Sequence, residues 1–459
     1  MSLNSSLYTS YSGVSASQAS LTVTTNNMTN ASTKGYTRQQ AIHTSINPPQ
    51  SYTLSSAGYG VKIGQVRRVN DQFLRENCRA GYNELSYFET TKNYLYEVET
   101  AFGDLYGYNM QTSTDEFFNA WEELAKSPSD QAARALVYES GVSFVDTLNQ
   151  YDHQLDAIED SVIMEIQNTV SSINSLSNEL ANVNAKIASS VDPPNELLDY
   201  QDMLLDDLSK LVTCTFTYQH DGTVDVTTKN GILVGGNSAY EIACVSKPPN
   251  GLPEAEWANG QAFDNQGGSL GALNDLLYNT LPEVKGVIND GMMQVIDKVN
   301  ELHASGTGLD GSTGLDFFVA INPNEAFEIG NLQVNPDLSD FNKIGASVTG
   351  ELGDGTLADE ISLVQNESFI TSGDEEVTID QYIAAYTQWL GIISSDAQFE
   401  YENQQTLSLQ LETQLSAVSS VSVDEEMANM MMFQQAYNAN INVMNTVDEL
   451  LENLIRELG

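Results

Sequence analysis

The chain has 459 residues, which at about 100–200 residues per domain allows two to four structural units. Lys plus Arg number 18 against 63 Asp plus Glu, a formal net charge of −45, with no basic patch beyond the pair Arg67-Arg68; such a surface repels phosphate backbones and anionic headgroups and excludes nucleic-acid and direct membrane binding. The apolar share of 41% is spread along the whole chain, which excludes wholesale disorder.

The first segment is rich in Ser, Thr and Asn but patterned. Leu3, Leu7, Tyr11, Val14, Leu21 and Met28 fall at steps of three, four and seven, which predicts one face of a helix. A loop follows at 30–36, and 37–65 reads as extended and turn-rich, with Pro48-Pro49, Gly58 and Gly60. The pattern from Asn70 to Ala125 is helical. After a turn at Ser127–Asp130, with Asp130 as the expected N-cap, a long helix begins. In it Ile166, Ile173, Leu180 and Ile187 recur every seven residues, interleaved with Val162, Leu176 and Val183, a heptad-like seam. Asp192-Pro193-Pro194 stops it, and Glu196 to Leu211 returns as the second arm of a helical hairpin.

At Val212 the period changes to two. Thr213–Tyr218, the turn Asp221-Gly222 and Thr223–Thr228 predict a β-hairpin, with further turns and strands to about Gly268. Helix resumes from Leu270 to His303. A Gly-rich loop and short strands at Phe327–Ile329 and Leu332–Val334 follow. Ile379 to Val418 is a long amphipathic stretch, broken at Val421–Asp424. In the final helix Met430, Tyr437, Met444, Leu451 and Leu458 repeat every seven residues, with Met427, Ile441 and Ile455 at partner positions. A helix with such a stripe requires a partner helix.

Residues that carry chemistry are sparse. None of His43, His153, His220 and His303 has metal-site spacing, and the sequence holds no nucleophile elbow, calcium loop or phosphate loop, so no catalytic, cofactor or metal residue is expected. The Met cluster at 427 and 430–432 reads as packing against a partner helix. Cys214 and Cys244 fall in predicted strands and read as small buried hydrophobes, with a disulfide between them left open. No apolar run is long enough to cross a bilayer, and the first 29 residues lack the pattern of a cleaved signal peptide.

Asn26, Asn27 and Asn30, followed by Gly35, Tyr36, Thr37 and Arg38, resemble the Asn-Asn-x-x-Asn … Gly-Tyr-Ser/Thr-Arg signature shared by rod, hook and hook-associated proteins of the flagellar axis. Within that group, three blocks resemble the hook-associated protein 1 family of hook–filament junction proteins: ELLDYQDMLLDDLSKLV from Glu196, residues 268–318 with GALNDLL, VNELHASG and GLDFF, and VSVDEEMANMMMFQQAYNANINVMNTVDELLENL from Val421. Lys34 departs from the small residue or Pro expected before the Gly, and Tyr200-Gln201 replaces a Gln-Arg pair. Flagellin-type chains lack the Gly-Tyr-Thr-Arg loop, and hook protein is not expected to carry the Ile166–Ile187 seam. Flagellin, the second junction protein and a surface-adhesin role for the β insert are the competing readings.

The resemblance implies a mainly α fold with β inserts: terminal helices pairing as a coiled coil, a long-helix bundle and a small outer β domain. The expected units are 1–60, the N-terminal helix and loop of the inner axial domain; 61–211, 269–304 and 357–420, the helical bundle; 212–268, a small β insert; 305–356, a mixed outer segment; and 421–459, the C-terminal axial helix. The terminal stripes would form the assembly interface, with the loop motif beside them. The resemblance further implies a non-enzymatic, extracellular flagellar subunit exported through the type III apparatus. Its implied partners are hook protein, the second junction protein, copies of itself in a ring and a cytoplasmic chaperone on the C-terminal helix, with no cofactor, nucleic acid or membrane.

Overall fold

The computed structural model describes residues 3–46, 58–103, 110–246, 251–373 and 375–458. Helix α1 (Leu3–Thr29) is followed by strands β1 (Gln39–Ser45) and β2 (Val61–Arg68), an antiparallel hairpin whose register shifts between Ile42 and His43. Pro48-Pro49 lies outside the described residues. In α1 the hydroxyls of Thr9, Ser10, Ser20, Thr25 and Thr29 donate to the carbonyl four residues back. Such side chains make a weak helix former when isolated, so α1 depends on its packing partners.

The helical body begins with α2 (Gln72–Phe102), capped by Asp71, and α3 (Met110–Lys126), two helices where the sequence pattern runs as one stretch. Helix α4 (Gln131–Ala188) starts at the Asp130 cap and has 58 residues, roughly 87 Å at 1.5 Å per residue. Its heptad residues Ile166, Ile173, Leu180 and Ile187 are fully buried. Helix α5 (Asn195–Leu211) returns along it after Pro194.

The β insert comprises β3 (Thr215–Tyr218), β4 (Val224–Thr228), β5 (Gly231–Gly235) and β6 (Ser238–Ala239) in one antiparallel sheet of that order, then a separate pair, β7 (Ile242–Ser246) and β8 (Pro253–Trp257). The predicted turn at Asp221-Gly222 is present, with Gly222 at φ 84°, a conformation that favours glycine. Asn184 of α4 fastens the sheet to the bundle. Its amide donates to the carbonyls of Val224 and Gly236, and its oxygen accepts from Val224 N and from Gln201 Nε2. Gln201, which stands where the resemblance expects Arg, is thereby a buried neutral link. Cys78, Cys214 and Cys244 are free thiols, and burial pushes the Cys214 thiol up to about 12.

Helices α6 (Gly268–Asp275) and α7 (Leu281–Ser305) are joined by one π-helical turn, Leu276–Thr280, in which Leu281 N–H donates to Leu276 O. Pro282 has no N–H to give the preceding turn, which accounts for the wider winding there. Strands β9 (Phe318–Ala320) and β10 (Leu332–Val334) pair. Phe327–Ile329, expected as a strand, is a loop: the Asn331 amide donates to the carbonyls of Asn322 and Ala326 and winds the segment around itself.

Helix α8 (Thr356–Leu363) precedes a hairpin of β11 (Ile370–Ser372) and β12 (Glu375–Val377), which lies ahead of the amphipathic stretch that begins at Ile379. Helix α9 (Ile379–Ser419) opens on a capping box of Thr378 and Gln381 and packs along α2. Helix α10 (Val423–Leu458) ends the described chain. The core of the body centres on Phe117, Phe118, Trp121, Phe144, Phe317 and Phe318, all 0–1% exposed. No described helix is long and apolar enough to cross a membrane, and no group of three His, Cys, Asp or Glu among the described residues is placed to hold a metal.

Candidate assembly site

Helices α1 and α10 pair with each other. Two contacts set their direction. Asn27 donates to Glu426 Oε2 at 3.1 Å, and a Cβ built on Gly13 would lie 2.6 Å from Asn440 Oδ1. Gly13 and Asn27 are fourteen residues apart, as are Asn440 and Glu426 in the opposite sense, so the pair is antiparallel.

The face α1 buries differs from the apolar stripe read in its sequence. Ser10, Gly13, Ser17, Ser20, Thr24 and Asn27 are buried, again at steps of three and four, whereas Leu3, Leu7, Val14, Leu21 and Met28 are half-buried beside them and Tyr11 is 63% exposed. Small side chains let two backbones approach closely, and that closeness decides what is enclosed. On α10, Met430, Tyr437, Ile441, Met444 and Leu451 are half-buried; Met427 and Ile455 are 49% and 70% exposed; the Leu458 side chain lies outside the described residues. The positions between the stripe residues are Glu426, Phe433, Asn440 and Val447, of which Glu426 and Val447 are buried. Reading apolar residues alone misses two of these four, because they are polar. The hairpin β1–β2 joins the pair from the side. His43 stacks on Phe433 with ring centroids 6.2 Å apart, and its Nε2 lies 3.0 Å from Ser20 Oγ.

The loop motif forms a hydrogen-bonded knot at the end of this pair. Asn27 Oδ1 accepts from Tyr36 Oη at 2.8 Å and from Gln39 N at 3.0 Å, while its amide donates to Gln39 O and to Glu426. Asn30 caps back onto Asn26. Arg38 Nε donates to Glu426 Oε1 at 2.9 Å, its Nη1 lies 3.2 Å from Glu425, and its backbone N–H donates to Ser419 O. Gly35 adopts φ 79°, and a Cβ there would collide with the Met203 sulfur. Burial and the nearby carboxylates of Asp199, Glu196 and Glu426 push the Tyr36 hydroxyl well above its usual range, so it remains a donor.

A second cluster binds the knot to the bundle. Thr37 N donates to Asp199 Oδ2 at 3.2 Å, and Arg68 Nη1 to Asp199 and Asp202 at 2.9 and 2.7 Å. Arg75 and Arg79 of α2 reach Asp206, and Arg79 also reaches Asp202 and Tyr218 Oη. Burial alone would raise the Asp202 carboxyl, but Arg75, Arg68 and Arg79 hold it below the usual carboxylate range. In a chain with only 18 basic residues, three Arg are committed to this one joint. The arrangement can transmit force between the terminal pair and the body; the arginines hold the Asp202 carboxyl low, while burial raises that of Asp206.

The comparisons with known proteins agree with this anatomy. The family model described as "Flagellar hook-associated protein FlgK helical domain" matches residues 95–318, and "Flagellar basal body rod FlgEFG protein C-terminal" matches 415–457. The chain is 27% identical to flagellar hook-associated protein 1 of Bacillus subtilis over 99% of this chain and 98% of that one. It is 26% identical to the protein of that name from Salmonella typhimurium over 80% and 69%, respectively. The solved flagellar hook junction protein FlgK of Burkholderia pseudomallei shares the fold with a TM-score of 0.50 at 24% identity, over 53% of this chain and 46% of that one. The chain carries the FlgK helical domain and is similar to flagellar hook-associated protein 1 along its whole length, which supports a structural subunit of the bacterial flagellum.

Proposed function

We propose that this chain joins hook to filament through its paired terminal helices, with hook protein on one side, the second junction protein on the other, and copies of itself around the ring. The observation that carries this reading is the apolar exposure of α10. After pairing with α1 it still exposes Met427, Met431, Met432, Val443, Leu450, Leu454 and Ile455. Apolar side chains exposed on several sides of one helix are a surface for further helices. Tyr8 and Tyr11 add to it from α1. The flexible Met side chains suit contacts with neighbours that are not identical. Mutual repulsion of chains carrying −45 is offset by this apolar burial and by cations. The same sticky surface is what a cytoplasmic chaperone would cover before export through the type III channel to the cell exterior.

In-frame deletion of the coding region tests the junction role by electron microscopy. Hooks without filaments, with filament protein shed into the medium, are the expected outcome. Normal filaments overturn it. Within the chain, Met444→Asp and Leu451→Asp are expected to block incorporation while the helical body remains folded by circular dichroism.

A further inference from the structure

The buried positions of α1 pose a problem of alignment. Ser10, Gly13, Ser17, Ser20 and Thr24 are nearly interchangeable in size, and the stripe facing them repeats Met430, Tyr437, Met444 and Leu451 every seven residues. Sliding α10 by one heptad, roughly 10 Å at 1.5 Å per residue, sets one small residue against another and one large apolar residue where another had been. Packing alone therefore discriminates poorly between registers.

Two contacts do discriminate. Glu426 is 2% exposed and receives Asn27 and Arg38 at 3.1 and 2.9 Å. The Asn440 amide lies flat on Gly13, where any Cβ would meet it at under 3 Å. A slip one way puts Phe433 beneath Asn27 and Arg38 and strands their donors; a slip the other way sets Glu426 against Ser20, away from Arg38, and Phe433 on Gly13. A buried charge that loses its partner is among the costlier defects a fold can carry.

We infer that Glu426, with Asn440 as a second point, fixes the register of the terminal helix pair: the carboxylate is a specificity element that selects one alignment among near-equivalent ones. This deepens the assembly reading, because one alignment per copy is what a regular ring of copies requires.

The test places spin labels at the exposed positions 18 and 452, through Gln18→Cys and Glu452→Cys, in the full chain with Cys78, Cys214 and Cys244 replaced by Ala; these positions are offset along the pair axis by roughly 25 Å at 1.5 Å per residue, so a slip in either direction changes their distance. Double electron–electron resonance is expected to give one narrow distance. Glu426→Leu is expected to add populations displaced by several ångströms to the shorter or longer side, whereas Met430→Leu leaves the single distance. The decisive variant moves the carboxylate seven residues along: Glu426→Leu with Phe433→Glu is expected to give one new distance, offset by a heptad. An unshifted distance in that double variant overturns the inference, as does a broad distribution in both Glu426 variants or in the labelled parent. A clean register shift with undiminished swimming leaves the lock standing and counts against the assembly reading instead.

Discussion

Arg79 and Asp202 form an enclosed ion pair, Nη2 to Oδ1 at 2.9 Å, with side chains 2% and 4% exposed. Three guanidinium groups share the carboxylates of this joint, so removing one partner strands others that have already lost their water. Arg79→Met is expected to destabilise the fold by about 3–5 kcal/mol. Arg79→Met with Asp202→Leu is expected to recover part of that loss. Chemical denaturation followed by circular dichroism checks both, and a loss under about 1 kcal/mol for the single variant contradicts the prediction.

His303 gives the body an acid-sensitive point. It lies against Trp121 and Phe317, its Nδ1 is 2.6 Å from Leu315 O, and its Nε2 accepts from Gly345 N, which requires the neutral ring. Burial lowers it to about 4 from 6.5. A depressed folded value means that its contribution is complete above pH 6.5 and is lost as pH falls towards 4, in total roughly 3 kcal/mol. His303→Gln keeps a donor and an acceptor without the titration. The difference between the two proteins' melting temperatures is expected to shrink from pH 7 to pH 4, and a constant difference sinks the idea.

Asp152 works in the opposite sense. Burial raises its carboxyl to about 6, and the nearby carboxylates of Asp156 and Glu328 outweigh the help from Lys285. Gly330 leaves it just enough room. A raised folded value means that stability declines as pH rises from about 4 to about 6. Asp152→Asn is therefore expected to raise the melting temperature at pH 7 and leave it unchanged near pH 3.5. A lower melting temperature at pH 7 contradicts this.

Asn184 makes four hydrogen bonds from one buried amide, two of them to Val224. Asn184→Leu leaves two carbonyls, the Val224 N–H and a Gln201 amide N–H without it, an expected cost of about 2–4 kcal/mol. The loss should be local first. Hydrogen exchange is expected to accelerate in β4 and β5 before it does in the 162–183 part of α4, and uniform acceleration throughout the chain would refute the sheet's dependence on this residue.

Acidity predicts the response of assembly to salt. Added monovalent salt screens repulsion between chains of −45 while leaving apolar contacts intact, so incorporation is expected to tighten up to a few hundred millimolar. Sedimentation of assembled against free chain across a salt series measures it; steady weakening with salt would show that ion pairs between copies dominate.

Much of the fold was legible because periodicity is local. The seam at Ile166, Ile173, Leu180 and Ile187 and the cap at Asp130 each depend on a few neighbouring residues. What was illegible depends on approach in space. The enclosed face of α1 is made of Ser, Thr, Gly and Asn, so a scan for apolar residues lands on Leu7, Val14 and Leu21 beside it. Counting small residues at steps of three and four would have found it. Glu426 and Asn440 are invisible to such a scan because one looks like a solvated acid and the other like a surface amide. The Arg–Asp joint left a trace, since Asp199, Asp202 and Asp206 share a face of α5 and Arg75 and Arg79 share one of α2, but nothing local indicates that the two faces meet.

The first helix of this chain finds its partner only in the last. Asn27 and Glu426 are separated by 399 residues, so their contact is among the last that a growing or threading chain can close. A polypeptide that stops between α9 and α10 carries the helices of the body and an α1 without its partner. The terminal pair thus closes only when the last helix has been delivered.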